Sequence, residues 1–182
     1  MPDTLLSGKR VLITHADLFM GPVLCEVFAK HGATVIASND PLIGEDTPAA
    51  LVAESGPLDA LVANLAIAAP TTLTTEVTEQ EWHETFGALV HPLARLFRAV
   101  LPGMIEKRAG KIVVMGSASA LRGIKRTSTY SAARGAQLAY VQASASKSRP
   151  TTSRSMPSPR ISWTTPPISQ PMFRPIPVSR SV

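Results

Sequence analysis

The sequence predicts an α/β fold in which a doubly wound parallel sheet carries helices on both faces. Two observations predict it. Short apolar runs rich in β-branched residues, such as RVLIT and KIVVM, alternate with segments whose apolar residues recur every three or four positions. The runs lack a polar alternation, which is typical of strands covered on both faces. Alternating strands and helices imply right-handed crossovers between parallel strands.

The first unit is predicted as strand, loop and helix. The strand begins at Arg10, and one face of the helix that follows the turn is marked by Val23, Leu24, Val27 and Phe28. Gly32 is the expected C-cap of this helix, and ATVIASND is the expected second strand. A third strand ends near Ala63, after a connection that contains the helix-prone stretch PAALVAES.

The second half predicts one long helix, a strand and a further helix. In EQEWHETFGALVHPLARLFRAVLPGMIEKRAG, apolar residues such as Trp82, Leu89 and Leu96 lie on one helical face. GKIVVMG follows as another buried strand, and a helix runs from Tyr130 to Gln142. Ligands bind open α/β sheets where loops leave the carboxyl ends of the strands, so we expect a site there.

Composition changes abruptly near Gln142. Residues 143–182 hold ten serines, eight of the sixteen prolines, six basic residues and no acid, so the net charge of +5 is −1 before the change and +6 after it. We therefore expect a domain at 1–142, truncated at its C-terminal end, and a Ser/Pro/Arg-rich, disordered tail at 143–182. The segment with the basic excess has only two aromatic residues, Trp163 and Phe173, and no amphipathic period, which argues against nucleic acid as a partner.

Other features point to a soluble cytoplasmic protein. The single cysteine, Cys25, lies in an apolar helical pattern and suits a reducing compartment. No apolar run approaches the roughly 20 residues that span a bilayer, and the polar N-terminus is not a signal peptide, so no membrane partner is expected. The four histidines, His15, His31, His83 and His91, are scattered and predict no metal site.

Three residues suggest proton-transfer chemistry. Ser117 lies where the strand KIVVMG ends, Tyr130 follows 13 residues later, and Arg134 is one helical turn beyond Tyr130 on the same face. A guanidinium beside a phenol favours the phenolate, which is a general base, and a serine hydroxyl can hold the substrate oxygen. The alternative is a surface Tyr–Arg contact with a serine in a turn.

These segments resemble the short-chain dehydrogenase/reductase superfamily. LSGKRVLITHA is similar to its first strand, LDALVANLAIAAP to its fourth-strand region, and WHETFGALVHPLARLFRAVLPGM to its long interface helix. GKIVVMGSAS followed by YSAAR is similar to its catalytic segment, so that the resemblance spans residues 6–142. It implies a Rossmann-like sheet and homo-oligomers formed through the 82–104 helix.

The sequence departs from the nicotinamide-binding members at several points. Their TGxxxGxG loop approaches the cofactor's pyrophosphate through glycine backbone. Here His15 and Phe19 replace two of the three glycines, Asp17 adds a negative charge, and only Gly21 matches. The NNAG motif reads ANLA around Asn64, the assisting asparagine of the long helix aligns with Leu89, and the usual lysine is Arg134. We therefore expect no cofactor.

The combination of a T-x4-F-x-G loop with Ser-Tyr-Arg resembles the halohydrin dehalogenases. The resemblance implies a lyase that converts vicinal halohydrins to epoxides and halide, or runs in reverse on epoxides. Ser117 would bind the substrate hydroxyl, Tyr130 would deprotonate it, and Arg134 would keep Tyr130 ionised. The halide pocket would include Thr14, Phe19, Gly21 and Asn64.

Two alternatives remain for function. One is an NAD(P)-dependent oxidoreductase of the same fold with an aberrant loop, which would use NAD or NADP as its cofactor. The other is a non-catalytic fragment or interaction module, in which Phe19 merely fills a dead nucleotide site.

The tail suggests a shifted reading frame. If each codon of the tail starts at the second base of an original codon, one choice of synonymous codons gives VGVEVAPHNIQVNAIAQNFVDNPTYFP, which resembles the family's missing strand and halide-pocket segment. The break would lie near Gln142 or Ala143, and we would expect the chain as written to fold poorly and to be inactive. The alternative is a genuine disordered extension.

Overall fold

The computed structural model describes residues 4–147 and 160–164. Five strands form one parallel sheet, in the order β2-β1-β3-β4-β5. The strands are β1 Arg10–Thr14, β2 Thr34–Ser38, β3 Ala60–Ala63, β4 Lys111–Met115 and β5 Arg160–Thr164. The helices are α1 Gly21–Lys30, α2 Thr47–Ser55, α3 Glu79–Leu89, α4 His91–Glu106, α5 Ser119–Arg122 and α6 Ser128–Lys147. The predicted α/β fold is confirmed.

Two apolar layers cover the sheet, which explains why the central strands are apolar on both faces. On one side Leu12 and Leu61 pack in a cluster with Phe97 of α4. On the other side Ile13 packs in a cluster that includes Phe28 of α1. Burying both faces in this way is typical of parallel sheets whose crossovers are helices. All five strands run in the same direction, so their carboxyl ends meet at one edge.

The predicted single helix over 79–110 is instead two helices, α3 and α4, with a break at Val90. The break coincides with Pro92, which has no amide proton and whose ring clashes with the carbonyl four residues earlier in a continuous helix. Thr78 caps α3 by accepting a hydrogen bond from the Glu81 amide at 3.1 Å.

Taken together, Glu79–Glu106 is long and apolar enough to cross a membrane by length and composition, a test that the core helices of soluble proteins also pass. In this structure α4 turns a buried face, including Leu93 and Phe97, toward the sheet.

The tail differs from the prediction of disorder in two respects. First, α6 continues past Gln142 to Lys147, and second, β5 pairs with β4 in parallel register. Residues of β5 alternate between half-buried and exposed, and Ile161 and Trp163 pack against the core. Gly116 makes room for Trp163, because a Cβ there would lie 2.0 Å from two atoms of the indole. The rest of the predicted tail lies outside the described residues.

Candidate active site

The loop between β1 and α1 keeps a glycine-like backbone without the glycines. His15 has φ 44° and Phe19 has φ 52°, which is the left-handed region that side chains disfavour. At Gly21 a Cβ would lie 2.3 Å from the His15 carbonyl oxygen and 2.5 Å from that of Ala16, so only glycine fits. The loop therefore turns back tightly over the start of α1.

The two residues in glycine positions point in opposite directions. His15 is only 5% exposed, and its Nδ1 accepts a hydrogen bond from the Ala66 amide at 3.0 Å. Burial lowers the pKa of His15, opposed by backbone contacts with Pro41 and Ala66 and by the charge of Asp17. Phe19, by contrast, is 70% exposed. One side chain anchors the loop, and the other faces solvent.

The other residues predicted for a halide pocket lie beneath this loop. Asn64 is buried and donates from Nδ2 to the carbonyls of His15 at 2.9 Å and Leu18 at 3.0 Å. Thr14 is fully buried at the end of β1, and Gly21 is buried at the start of α1. The structure thus shows Thr14, Gly21 and Asn64 shaping the loop, and their role toward a halide stays a prediction.

Ser117 lies just beyond the carboxyl end of β4, as predicted. Its Oγ accepts hydrogen bonds from the Ser119 amide at 3.2 Å and from the Ser119 hydroxyl at 2.9 Å. These contacts fix the hydroxyl oxygen at the start of the short helix α5. The proton of the Ser117 hydroxyl remains available to donate to a substrate oxygen.

Tyr130 and Arg134 come together on α6, also as predicted. The guanidinium carbon of Arg134 lies 5.0 Å from the centroid of the Tyr130 ring, within the range of a cation–π contact. Arg134 is only 3% exposed. Its Nη1 donates to the Met115 carbonyl at 3.1 Å and its Nη2 to the Leu65 carbonyl at 2.9 Å. The cation is therefore tied to the carboxyl ends of β3 and β4, next to the segment that holds Ser117.

Gln137 is a site residue that was not predicted from the sequence. It is fully buried, accepts a hydrogen bond from Arg134 Nη1 at 2.9 Å, and donates to the Leu89 carbonyl. The available signal was a long polar side chain three residues after Arg134, inside a helix whose neighbours are small or apolar. A buried polar group of this size needs partners, which the spacing could have suggested.

A cavity of about 90 Å³ lies elsewhere, between the end of α2, the start of β3 and the end of α4. Val52, Pro57 and Met104 are among its lining residues, together with Lys107. It opens near the amino ends of the strands, the opposite edge from Ser117 and Arg134. Within residues 4–147 and 160–164, no three His, Cys, Asp or Glu side chains gather to hold a metal ion.

Comparison with known families matches the part of the chain that contains α2, β3, β4 and α6. The family described as short chain dehydrogenase matches residues 44–154, more than half of the chain. The chain belongs to the short-chain dehydrogenase family. This match includes Ser117, Tyr130 and Arg134, and it extends twelve residues beyond Gln142.

Individual relatives of this short-chain dehydrogenase chain include a reductase and a dehalogenase. The 3-oxoacyl-[acyl-carrier-protein] reductase of Vibrio harveyi is 28% identical over 165 residues, covering 77% of this chain and 67% of the relative. A solved structure described as a dehalogenation enzyme is 27% identical, with a TM-score of 0.72 over 79% of this chain and 68% of that one. A short-chain dehydrogenase of Shigella flexneri complexed with NADP has a TM-score of 0.79 and 19% identity, over 90% and 79% of the two chains.

These relatives correct the expectation that no cofactor is needed. The Vibrio protein is a reductase by name, and the Shigella protein holds NADP in the same fold. The expectation rested on the side chains in the glycine loop, whereas the backbone of the loop resembles that of a glycine loop. His15 and Phe19 adopt positive φ, Gly21 keeps its close approach, and the His15 ring turns inward. The loop therefore keeps the backbone turns of a glycine loop although it lacks two of the glycines.

Proposed function

We propose that this chain carries the catalytic centre of an NAD(P)-dependent oxidoreductase acting on a hydroxyl or carbonyl group of a small molecule. One observation carries the proposal: the buried guanidinium of Arg134 lies against the Tyr130 ring while bonded to the carboxyl ends of two strands. That arrangement favours a tyrosine able to exchange a proton with a substrate oxygen. The reductase and dehydrogenase relatives support the same class of reaction.

The roles of the residues follow from their positions. Ser117 donates a hydrogen bond to the substrate oxygen, and Tyr130 takes the proton from the hydroxyl or returns it to the carbonyl oxygen. Arg134 holds its guanidinium against the Tyr130 ring. The loop from His15 to Gly21 at the start of α1 would hold the dinucleotide, whose nicotinamide ring accepts or supplies hydride when bound.

A second candidate is dehalogenation of vicinal halohydrins. It is favoured by the 27% identical dehalogenation enzyme and by the His15 and Phe19 side chains in the loop. In this reaction Tyr130 removes the hydroxyl proton, and the alkoxide oxygen forms a bond to the neighbouring carbon as the carbon–halogen bond breaks. The halide leaves with the electron pair, giving an epoxide. The same three residues would serve either reaction.

Two assays on the full chain separate the candidates. Nicotinamide absorbance is followed with a panel of alcohols and ketones, including a 3-oxoacyl thioester, and halide release is followed with a chloro- or bromohydrin, with and without NADP. Substrate-dependent change in nicotinamide absorbance supports the oxidoreductase. Halide release without any such change supports the dehalogenase and excludes the first proposal.

The Tyr130→Phe variant tests the shared step. Loss of a general base of this kind typically lowers the rate by roughly 100-fold or more, so we expect at least that loss of kcat. Tyr140→Phe is the matched control, because Tyr140 lies on the same helix but packs edge-on against Phe97 with ring centroids 5.3 Å apart. Equal activity of Tyr130→Phe and the unmodified protein would refute the role of Tyr130.

We further propose that the enzyme is cytoplasmic and forms homo-oligomers through α3 and α4. Trp82 supports the second point, because it is 41% exposed and stacks on Phe86 with ring centroids 4.7 Å apart. Light scattering on the purified protein and on Trp82→Ala tests the oligomer, and cell fractionation tests the location. A monomer at assay concentration would contradict the proposed homo-oligomer.

A further inference from the structure

Gln137 connects the cation of the proposed active site to the break between α3 and α4. It lies on α6, three residues after Arg134, and none of its surface is exposed. Its Oε1 accepts from Arg134 Nη1 at 2.9 Å, and its Nε2 donates to the carbonyl of Leu89. The side-chain amide of Gln137 therefore joins Arg134 to the Leu89 carbonyl, two groups that are 45 positions apart in the sequence.

The Leu89 carbonyl needs a donor because the helix ends there. The last carbonyls of a helix have no partner within it, and α3 stops at Leu89. The next turn does not continue the α3 ladder smoothly: the amide of Ala94 returns to the carbonyl of Val90 at a long 3.3 Å. Leu89 is fully buried, so water does not replace the missing donor at low cost. The Gln137 amide supplies it.

Arg134 needs Gln137 for a related reason. Its three acceptors in the described part of the chain are neutral, namely the Met115 and Leu65 carbonyls and Gln137 Oε1. No carboxylate among residues 4–147 and 160–164 pairs with this guanidinium. Neutral acceptors hold a guanidinium through the directions of its N–H bonds more than through charge, so each acceptor fixes the orientation of the Arg134 guanidinium. Gln137 is the only side chain among these three acceptors.

We propose that Gln137 is a positioning residue that locks the Arg134 guanidinium against the Tyr130 ring by anchoring it to the α3–α4 break. This inference rests on the proposed role of Tyr130 in proton transfer. Without Gln137, Nη1 keeps only its contact with Met115, and the guanidinium plane can turn away from the phenol. The break at Val90 is then part of the catalytic architecture, because it frees the carbonyl that holds Gln137.

Three variants of the full chain test the proposal. Gln137→Leu removes both hydrogen bonds at similar size, whereas Gln137→Glu keeps an acceptor for Arg134 and loses the donor to Leu89. Val141→Ala is the matched control, because Val141 is 3% exposed one turn further along α6 and forms no part of the polar chain. Small displacements of catalytic groups cost large factors in rate. We expect Gln137→Leu to lower kcat about tenfold with KM within about twofold, Gln137→Glu to recover only part of that loss because the Leu89 carbonyl then has no donor, and Val141→Ala to lower only thermal stability.

A second measurement does not depend on turnover. In protein labelled with ¹⁵N-arginine, the Nη resonances of Arg134, assigned with Arg134→Lys, report rotation of the guanidinium. We expect separate Nη1 and Nη2 signals in the unmodified protein and averaged signals in Gln137→Leu. Identical guanidinium spectra in the unmodified protein and Gln137→Leu would overturn the inference.

The two proposals fail in different ways. If Tyr130→Phe retains full activity, the proposed function fails, whatever the spectra show. If Tyr130→Phe is inactive but Gln137→Leu keeps the kcat of the unmodified protein, only the positioning role of Gln137 is refuted.

Discussion

Gly21 offers the sharpest test of the loop between β1 and α1. A Cβ at this position would lie 2.3 Å from the His15 carbonyl oxygen, and 2.5 and 2.6 Å from the carbonyl oxygen and carbon of Ala16. All three atoms are backbone, so no side-chain rotation relieves the contact. The His15 carbonyl also accepts a hydrogen bond from Asn64, which any displacement of the loop weakens.

The expected cost of Gly21→Ala is the difference of opposing effects. Forcing a methyl group into well-packed structure typically costs about 1–3 kcal/mol, and a weakened hydrogen bond costs about 1 kcal/mol more. Alanine is at most about 1 kcal/mol better than glycine in a helix, and Gly21 lies at the first position of α1, where that gain is smaller. The net loss is about 2 kcal/mol, or a fall in Tm of roughly 4–8 °C for a chain of this length.

Gly87→Ala is the matched control. Gly87 lies inside α3, and a Cβ there meets no atom within 4 Å, so the helix preference acts alone and should stabilise the protein by about 0.5–1 kcal/mol. Urea unfolding followed by far-ultraviolet circular dichroism gives both values, provided that the m-values agree. The reasoning is refuted if Gly21→Ala is as stable as the unmodified protein while Gly87→Ala shows its expected gain.

Two further predictions concern a buried histidine and a helix cap. The lowered pKa of His15 means that the unfolded chain binds more protons below the ordinary value of 6.5, so the free energy of unfolding should decrease as the pH falls below 6.5 toward the folded-state pKa. In His15→Asn, which tolerates positive φ, urea unfolding between pH 7.5 and 5 should lose that part of the pH dependence, and an unchanged slope would contradict the assignment. Thr78→Ala removes the oxygen that accepts from the Glu81 amide and should destabilise the protein by about 1 kcal/mol, whereas Thr78→Ser should retain most of the stability in the same titration.

The reading frame of the tail stays a prediction. Sequencing the encoding DNA tests it directly, and an unbroken frame through Gln142 and Ala143 would refute it. The strand at Arg160–Thr164 is present whichever frame is the original one, because it pairs with β4 and packs Trp163 over Gly116 in the sequence as it stands.

Local sequence patterns determined most of the fold. Continuous apolar runs predicted four of the five strands, because a strand buried on both faces is apolar along its length and does not alternate with polar residues. Residues four apart share a helical face, so Tyr130 and Arg134 could be paired from their spacing alone. Ser117 could be placed beside them because loops at the carboxyl ends of parallel strands gather at one edge.

Only the tertiary structure decided how the site is held. His15 and Phe19 both replace glycines, yet His15 is buried and Phe19 is exposed. His15 is buried because its ring accepts a hydrogen bond from the amide of Ala66, 51 positions further along the chain. The fifth strand also depended on packing against distant residues. Gln137 matters because a helix end leaves the Leu89 carbonyl without a partner. Periodicity reports which face of an element is buried, whereas the partner of a buried polar group is set by elements far away along the chain.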